Sequence, residues 1–383
     1  TPAPAPAPAP AAVTLDFAAV PNLAADQYHW VATNETGTVM AATTITTGGG
    51  QILISTDGGA TFTPSGAPNA MWISLDMTPD GSRMVAVGFD GGMFLSTDTG
   101  ASWTRIDTGV NLTGSLPYES VTISDDGARI VAVTLNGPVF FSANADTATP
   151  TLAQATLVGG GALTDAFRAV DSSADGTTVV AASHNGVLYL SGDGGATFAP
   201  LPVTVAGAAV ADGWYRTAIN DDGTRIALAG NTDFGEGVDP APRSSGLYVG
   251  NLAGGAWTWT QASTVAGAYT SVSMSDTGGA IGATLSSTTG GTGGQVLLSS
   301  DGGATFTPVT TPAGETNWRA LALSDDAARA VLAAGTFQAT NGLLYVSPPV
   351  AVGGPAPAPA PAAPAPAPAA SGAGPGGLGA APG

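Results

Sequence analysis

Three arginines occupy matching or nearly matching places in an internal repeat and could together bind an anion. Arg168, Arg216 and Arg319 each follow the large aromatic residue that opens one copy of the repeat. The planar guanidinium group offers paired N–H donors that fit the oxygens of a carboxylate or a sulfate. The alternative is that these arginines pair with nearby acids and serve only the fold. Matching or nearly matching places in other copies hold His29, Glu119 and Tyr215.

The repeat that must position these six residues occurs seven times along the chain. Each copy reads as an aromatic residue, alternating small and apolar residues, a turn rich in Asp and Gly, and a further apolar run. Alternation with a period of two residues indicates strands, and the turns join them into antiparallel hairpins. Units of about 40–50 residues with four strands are typical of β-propeller blades. The copies begin at Tyr28, Trp72, Tyr118, Phe167, Trp214, Tyr269 and Trp318.

The sequence therefore predicts an all-β fold, a seven-bladed β-propeller of four-stranded antiparallel blades. The first strand of each blade lines the central channel of a propeller. We therefore expect the six residues to surround the channel mouth, on the face that also carries the longer loops. Binding residues are often found on such loops.

The two ends of the repeated region are expected to close the ring. The seventh copy has room for three strands before Pro348 and Pro349 stop it. Residues 13–17, Val-Thr-Leu-Asp-Phe, can supply the fourth strand from the other end of the chain. We therefore expect the propeller to span residues 13–350.

Low-complexity sequence flanks the propeller on both sides. Residues 1–12 form a Pro-Ala-rich spacer, and residues 351–383 form a Pro-Ala-rich and then Gly-rich tail. Such sequence favours extended polyproline II structure and buries little surface. A stalk on a surface or wall protein and a linker between domains are both compatible with it. Because the sequence opens on Thr1 and not on Met, we expect a segment of a larger or surface-tethered protein.

An eight-residue phrase with the pattern S-x-D-x-G-x-[ST]-[FW] occurs four times. A carboxylate can accept backbone N–H bonds within a turn, and glycine allows positive φ there. Four similar copies favour a structural turn over a catalytic or metal-binding role. The acids of the phrase are Asp57, Asp98, Asp193 and Asp301.

The phrase resembles the Asp-box of the BNR-repeat β-propellers, which include sialidases, photosystem II assembly factors of the Ycf48 type and family 74 xyloglucanases. Likeness to the Ycf48 type implies a non-catalytic propeller that docks a partner polypeptide through one face. Likeness to sialidases implies an arginine triad for a substrate carboxylate, with Tyr215 or Tyr118 and Glu119 near the nucleophile position. This chain lacks the sialidase F-R-I-P phrase, and sialidases have six blades. A non-catalytic module that binds a glycan or a protein is therefore favoured over a glycoside hydrolase or a purely structural wall or filament component.

Composition excludes several other classes of function. The net charge is −19, with no lysine, so we expect no binding to nucleic acid. No apolar run approaches the length of a membrane span, which predicts no such span. With no cysteine and two scattered histidines, we predict no metal and no cofactor. The sequons at Asn34 and Asn111 predict N-glycosylation if the protein is extracellular or on the cell surface, the location that we favour.

Overall fold

The computed structural model describes residues 15–46, 49–89, 92–108, 117–210, 212–230, 246–263, 265, 268–286, 294–335 and 341–347. Regular secondary structure in these residues consists of strands. Seven sheets of four or five strands follow one another along the chain, besides a two-stranded hairpin at Thr204–Val205 and Ala208–Ala209. Their strands are antiparallel, except that Thr156 and Leu157 pair in parallel with Thr197 and Phe198. The prediction of a seven-bladed all-β propeller is therefore confirmed. We number the blades 1 to 7 in chain order.

Each blade runs from its innermost strand outward. Blade 1 contains strands Tyr28–Thr33, Met40–Thr44, Ile52–Ser55 and Thr63–Pro64, and blade 2 contains Trp72–Met77, Met84–Gly88, Gly92–Ser96 and Thr104–Arg105. Blade 3 contains Tyr118–Ile123, Ile130–Thr134, Gly137–Ser142 and Ala153–Gln154, and blade 4 contains Phe167–Ser172, Val179–Ser183, Leu188–Ser191 and Thr197–Leu201. Blade 5 contains Trp214–Ile219, Arg225–Gly230, Leu247–Ala253 and Ala256–Ser263, and blade 6 contains Ala268–Met274, Ile281–Ser286, Gln295–Ser299 and Thr307–Pro308. Blade 7 contains Trp318–Leu323, Ala330–Ala334, Leu344–Val346 and the N-terminal strand Ala18–Ala19.

The N-terminal strand closes blade 7, as expected, but at a different place in the sequence. Ala18 and Ala19 pair with Val346 and Tyr345, whereas the strand was expected at residues 13–17. Leu15 and Phe17 are instead buried in the core between blades 6 and 7. The alternation of Leu15 and Phe17 thus reflects burial of their side chains in the core, and strand pairing begins with the next residue, Ala18.

A separate hydrophobic cluster fills each of the seven interfaces between neighbouring blades. The aromatic residue that opens each copy lies in the cluster shared with the preceding blade. The aromatic residue of the repeated phrase enters the same kind of interface; Phe62 and Phe198 are examples. Large aromatic side chains bury much apolar surface, so they hold adjacent sheets together.

The repeated phrase folds into the same turn in all four copies. In blade 1, the Asp57 carboxylate accepts hydrogen bonds from Thr61 N at 2.9 Å, Thr61 Oγ1 at 2.6 Å and Ser55 Oγ at 2.8 Å. Ser55 Oγ in turn accepts the N–H of Gly59 at 2.9 Å. These bonds hold the pKa of Asp57 down at about 2, with Thr61 the main cause. Asp98, Asp193 and Asp301 make the same set of bonds.

Arginines join neighbouring blades on the face that carries these turns. Arg329 of blade 7 donates to the carbonyl oxygen of Gly58 in blade 1 at 3.2 Å. Arg83 of blade 2 donates to Ala145 O in blade 3 at 2.6 Å, and Arg225 of blade 5 donates to Gly278 O in blade 6 at 2.7 Å. These arginines therefore stabilise the ring and take no part in the channel mouth.

Candidate functional site

The antiparallel order of strands gives the propeller two different faces. Each innermost strand starts on the face that carries the connections between blades and ends at the turn into the second strand. The repeated phrase joins the third and fourth strands, so it lies on the same face as that first turn. The residues that open the innermost strands therefore meet on the opposite face, which we call the mouth face.

Every innermost strand has an irregular register at the residue that follows the opening aromatic residue of the repeat. In blade 4, Phe167 pairs with Ser183 and Ala169 pairs with Ala182, so Arg168 is an extra, unpaired residue. The same shift occurs in the other six blades. A β-bulge of this kind redirects a side chain and often lies at a functional site. The extra residues are His29, Ile73, Glu119, Arg168, Tyr215, Thr270 and Arg319.

Five of the six residues chosen from the sequence are therefore bulged residues, and the sixth, Arg216, follows one of them directly. The structure brings Arg216 against Tyr215, with 4.0 Å between the guanidinium carbon and the ring centroid. Arg216 Nη2 donates to the hydroxyl oxygen of Tyr215 at 3.1 Å, and Nη1 donates to Arg168 O at 3.2 Å. Arg216 is thus fixed between blades 4 and 5 and is buried, with 4% of its surface exposed.

Arg168 and Glu119 form an ion pair across the interface of blades 3 and 4. Arg168 Nη1 lies 3.4 Å from Glu119 Oε2, and both side chains are almost fully buried. The alternative in which arginines pair with Glu119 is thus observed for Arg168. A pair of this kind fixes both side chains and offsets one of the positive charges at the mouth.

His29 lies in the same cluster as a neutral imidazole. Its Nδ1 donates a hydrogen bond to the carbonyl oxygen of Ile73 at 2.9 Å, because a carbonyl can only accept. Burial places the pKa of His29 well below its usual range, and the positive charges of Arg319 and Arg216 lower it further. The hydrogen bond to Ile73 acts in the opposite direction without reversing the shift. Burial and, after it, the charges of Arg319 and Arg216 together favour the neutral form of His29.

Arg319 is the remaining arginine of the cluster. Its pKa is lowered, first by burial and then by the positive charge of Arg216, while Tyr215 acts in the opposite direction. An arginine keeps its proton at any physiological pH, so the shift reports mainly the cost of burying the charge of Arg319, to which the nearby charge of Arg216 adds. Charged groups of blades 5 and 7, Arg216 and Arg319, therefore act on each other and on His29 of blade 1.

Trp30 belongs to this cluster and was missed from the sequence. Its ring centroid lies 4.9 Å from the guanidinium carbon of Arg216, and its Nε1 donates to Leu75 O at 2.8 Å. Alignment of the repeats contains the signal, since Trp30 and Arg216 both stand two residues after the opening aromatic residue. Trp30 was missed because an aromatic side chain at this place was not considered as a partner for a cation.

The opposite end of the channel is acidic. There the residues just after the innermost strands join blade to blade through their backbones: Asp125 N donates to Ala174 O at 2.9 Å, and Asp221 N donates to Asp276 O at 3.0 Å. Burial and mutual repulsion raise the pKa of Asp125 to about 7 and that of Asp325 to about 8. This set, which we call the acidic ring, consists of Glu35, Asp125, Asp221, Asp276 and Asp325.

Asp125 of this ring is followed directly by a second aspartate with a different role. Asp126 forms the turn, since its carboxylate accepts Ser124 Oγ at 2.7 Å and Ala128 N at 2.9 Å. These bonds lower the pKa of Asp126, whereas the pKa of the adjacent Asp125 is raised. Two neighbouring aspartates in one turn therefore have opposite electrostatic environments, which their sequence does not distinguish.

The remaining sequence predictions concern modification, metals and membranes. Asn34 is buried, and its Oδ1 accepts Thr38 N at 2.9 Å while its Nδ2 donates to Pro79 O at 3.2 Å, so its amide serves the turn. Asn111 lies outside the described residues. Within the described ranges, no group of three or more His, Asp or Glu side chains is placed to hold a metal ion. No helix in that part of the chain is long and apolar enough to cross a membrane.

Fold and mouth together define a seven-bladed β-propeller with a cationic cluster in one channel mouth. No protein-family model and no curated protein sequence matches the chain. Solved structures do match. Ycf48 from Cyanidioschyzon merolae is similar at 17% identity and a TM-score of 0.60, over 86% of this chain and 98% of that one. A structure of Ycf48 bound to D1 peptide has 14% identity and a TM-score of 0.59, over 89% and 99%.

An enzyme is among the similar structures too. The family 74 xyloglucanase from Xanthomonas campestris has 15% identity and a TM-score of 0.58, over 86% of this chain and 55% of that one. At such identities the likeness establishes the shared fold and nothing about activity. Similarity to propellers of the Ycf48 and xyloglucanase kinds is thus shown, while the Asp-box family assignment stays a prediction.

Proposed function

We propose that this protein is a non-catalytic binding module that recognises a glycan or a partner protein through its mouth face. The observation that carries the proposal is the gathering of Arg168, Arg216 and Arg319 with His29 at one end of the channel. Innermost strands from four blades supply these side chains. Concentrated guanidinium groups favour a ligand with a carboxylate, a sulfate or several oxygen acceptors.

The ion pair of Glu119 with Arg168 favours a binding role over glycoside hydrolysis. Hydrolysis of a glycosidic bond generally requires two carboxyl groups that flank the bond. Glu119 is engaged with Arg168, so it offsets a positive charge. A protein partner also has support from the Ycf48 structure with a bound peptide, since that propeller shares this fold.

The Pro-Ala-rich flanks support a location outside the cell or on its surface. Residues 1–12 and 351–383 have the composition of extended spacers, which could hold the propeller away from a wall or from a neighbouring domain. The same flanks fit the runner-up proposal, a wall or filament component with no ligand.

One binding screen separates these roles. The protein is tested against a broad panel of glycans, polysaccharides and peptides, and both retention and release of products are scored. Three variants accompany it: the triple variant R168Q/R216Q/R319Q, the single variant R319Q at the least buried of these arginines, and R105Q. Arg105 is exposed and pairs with Asp107 at 2.6 Å, so R105Q makes the same change of charge away from the mouth.

We expect at least one member of the panel to retain the unchanged protein, with no release of products. We expect R319Q, and the triple variant if it melts cooperatively, to lose this retention. R105Q should keep it. Release of products from any member of the panel contradicts the non-catalytic proposal. Retention that survives both mouth substitutions assigns binding to another surface. Absence of retention throughout favours the structural role.

A further inference from the structure

Arg216 at the mouth donates its described hydrogen bonds to neutral oxygens. Arg216 is buried, and its Nε has no hydrogen-bond partner among the described residues. Its other nitrogens donate to neutral oxygens of Arg168 and Tyr215. A buried cation that contacts neutral groups alone is costly, and a second cation nearby adds to that cost. Arg319 is such a neighbour: it is the bulged residue of blade 7, next to blade 1, whose Trp30 contacts Arg216, and the charge of Arg216 contributes to its lowered pKa.

An anion placed between these two arginines would relieve the repulsion. A carboxylate or sulfate oxygen can accept the Nε–H of Arg216, and its charge would act on both guanidinium groups. The rings of Trp30 and Tyr215 lie against Arg216 and limit access of water to it. Charge pairs are stronger where water is excluded.

We propose that the anionic group recognised at the mouth lies between Arg216 and Arg319 and that its binding is linked to uptake of a proton by His29. The proposal rests on the proposed function in one respect: it assigns the ligand to the same mouth. It adds the position of the anionic group, between two named arginines, and the regulation of the site, binding that strengthens as the pH falls.

The link follows from the charges that face His29. The groups concerned are Arg319 and Arg216, with Tyr215 beside both arginines and the Arg168–Glu119 pair on the neighbouring blades. Nδ1 of His29 already carries a hydrogen bonded to Ile73 O, so a further proton must go to Nε2. A bound anion offsets the two cations that lower the pKa of His29, so that pKa rises. By reciprocity, protonated His29 then raises the affinity for the anion.

Histidine NMR tests this directly, because the chain contains two histidines. Protein labelled with ¹³C in the imidazole ring gives one signal from His29 and one from His184, and the H29Q variant assigns them. The His29 signal is followed against pH without ligand, with sodium acetate and with sodium sulfate, at constant ionic strength set with sodium chloride. We expect the titration midpoint of His29 to rise by about one pH unit when either anion saturates the site. A midpoint that neither anion moves overturns the proposal.

Matched variants assign the effect to the two arginines. R216Q and R319Q each remove one cation beside His29, so we expect the midpoint to rise without any anion and to respond less to acetate and sulfate. R105Q should behave like the unchanged protein. Both mouth variants retain a polar side chain, and a cooperative thermal transition identifies those that fold. If the response to anions is unchanged in R319Q, the assigned position of the anion is wrong.

The same titration yields the affinities. Acetate or sulfate should bind about tenfold more tightly below the midpoint than above it, if the midpoint moves by one unit. Stronger binding of acetate points to a carboxylate ligand, and stronger binding of sulfate points to a sulfated one. Affinity that does not vary with pH overturns the link to His29. No partner molecule is used, so a failed partner screen and a failed titration are separate results.

Discussion

The guanidinium group of Arg216 lies over the indole ring of Trp30, with 4.9 Å between the guanidinium carbon and the ring centroid. Arg216 belongs to blade 5 and Trp30 to blade 1, and these blades are not neighbours in the ring. The contact therefore spans the channel and narrows it at the mouth. A cation over an aromatic face is attracted by the quadrupole of the ring, and the attraction grows where water is excluded.

Truncation of Trp30 is expected to open the channel and to destabilise the ring. W30A removes the contact with Arg216 and the bond to Leu75 O, and we expect a loss of about 2–3 kcal/mol of unfolding free energy. W30F keeps an aromatic face and should lose about 1 kcal/mol. Chemical denaturation of the three proteins measures both. Equal losses for W30A and W30F would show that the aromatic face contributes nothing.

Thr99 is expected to be a strained position that glycine relieves. Its φ is 55°, and the matching residues of the other copies are glycines at 70°, 76° and 71° (Gly58, Gly194 and Gly302). An arginine of the preceding blade contacts each of those glycines and leaves no room for a side chain. In blade 1 the matching residue is the shorter Val39, which leaves room for the side chain of Thr99 in blade 2. T99G should raise the unfolding free energy by about 0.5–1 kcal/mol, the relief of left-handed strain less the added freedom of the unfolded chain. T99A keeps the Cβ atom and serves as the control, and a thermal transition of T99G below that of the unchanged protein contradicts the argument.

Asp57 is expected to stabilise its turn mainly through acceptor geometry. D57A removes three hydrogen bonds, so we expect a lower Tm. D57N should lose less, because Asn144 already occupies the matching place in blade 3 and accepts Thr151 N at 2.9 Å. Since the folded pKa of Asp57 is depressed to about 2, the contribution of its charge is present above about pH 4 and is lost as the pH falls toward 2. Thermal scans between these values check the order of the variants; a D57N protein as unstable as D57A at neutral pH refutes it.

The acidic ring is expected to make the fold more stable at mildly acidic pH than at alkaline pH. The folded pKa of Asp325 is raised to about 8, by burial first and then by the charge of Asp276. A carboxyl group with a raised folded pKa favours the protonated folded protein, so stability falls as the pH rises from about 4 to about 8. D325N should therefore raise Tm at pH 8 by about 2 °C and change it little at pH 5.

Asp326 provides the matched control for that experiment. It is adjacent to Asp325, but its carboxylate accepts Ser324 Oγ and Ala328 N, both at 2.8 Å. D326N disturbs those turn bonds, so no gain in Tm at pH 8 is expected from it. Should D325N and D326N change Tm alike at both pH values, the ring is not the source of the pH dependence.

The repeated pattern made most of the site predictable before any coordinates. Aromatic residues at seven matching places fixed the blades, and the residue after each aromatic was expected to face the channel mouth. His29, Glu119 and Arg168 are found there as bulged residues. Trp30 was missed because an aromatic side chain suggests a core and not a cation partner. The N-terminal strand was placed too early because burial and strand pairing give similar apolar patterns.

By itself, the sequence determined the number of blades, the turns of the repeated phrase and the ring of residues that open the innermost strands. These follow from local spacing, since period-two alternation and Asp-Gly turns act within one blade. Only the tertiary structure decided which charges meet. Arg168 pairs with Glu119 while Arg216 reaches across to Trp30, and Asp125 and Asp126 differ in pKa although they are adjacent. These pairings and pKa differences depend on the distances between side chains of different blades and on the exclusion of water from the channel. Both are fixed only when the blades close into a ring.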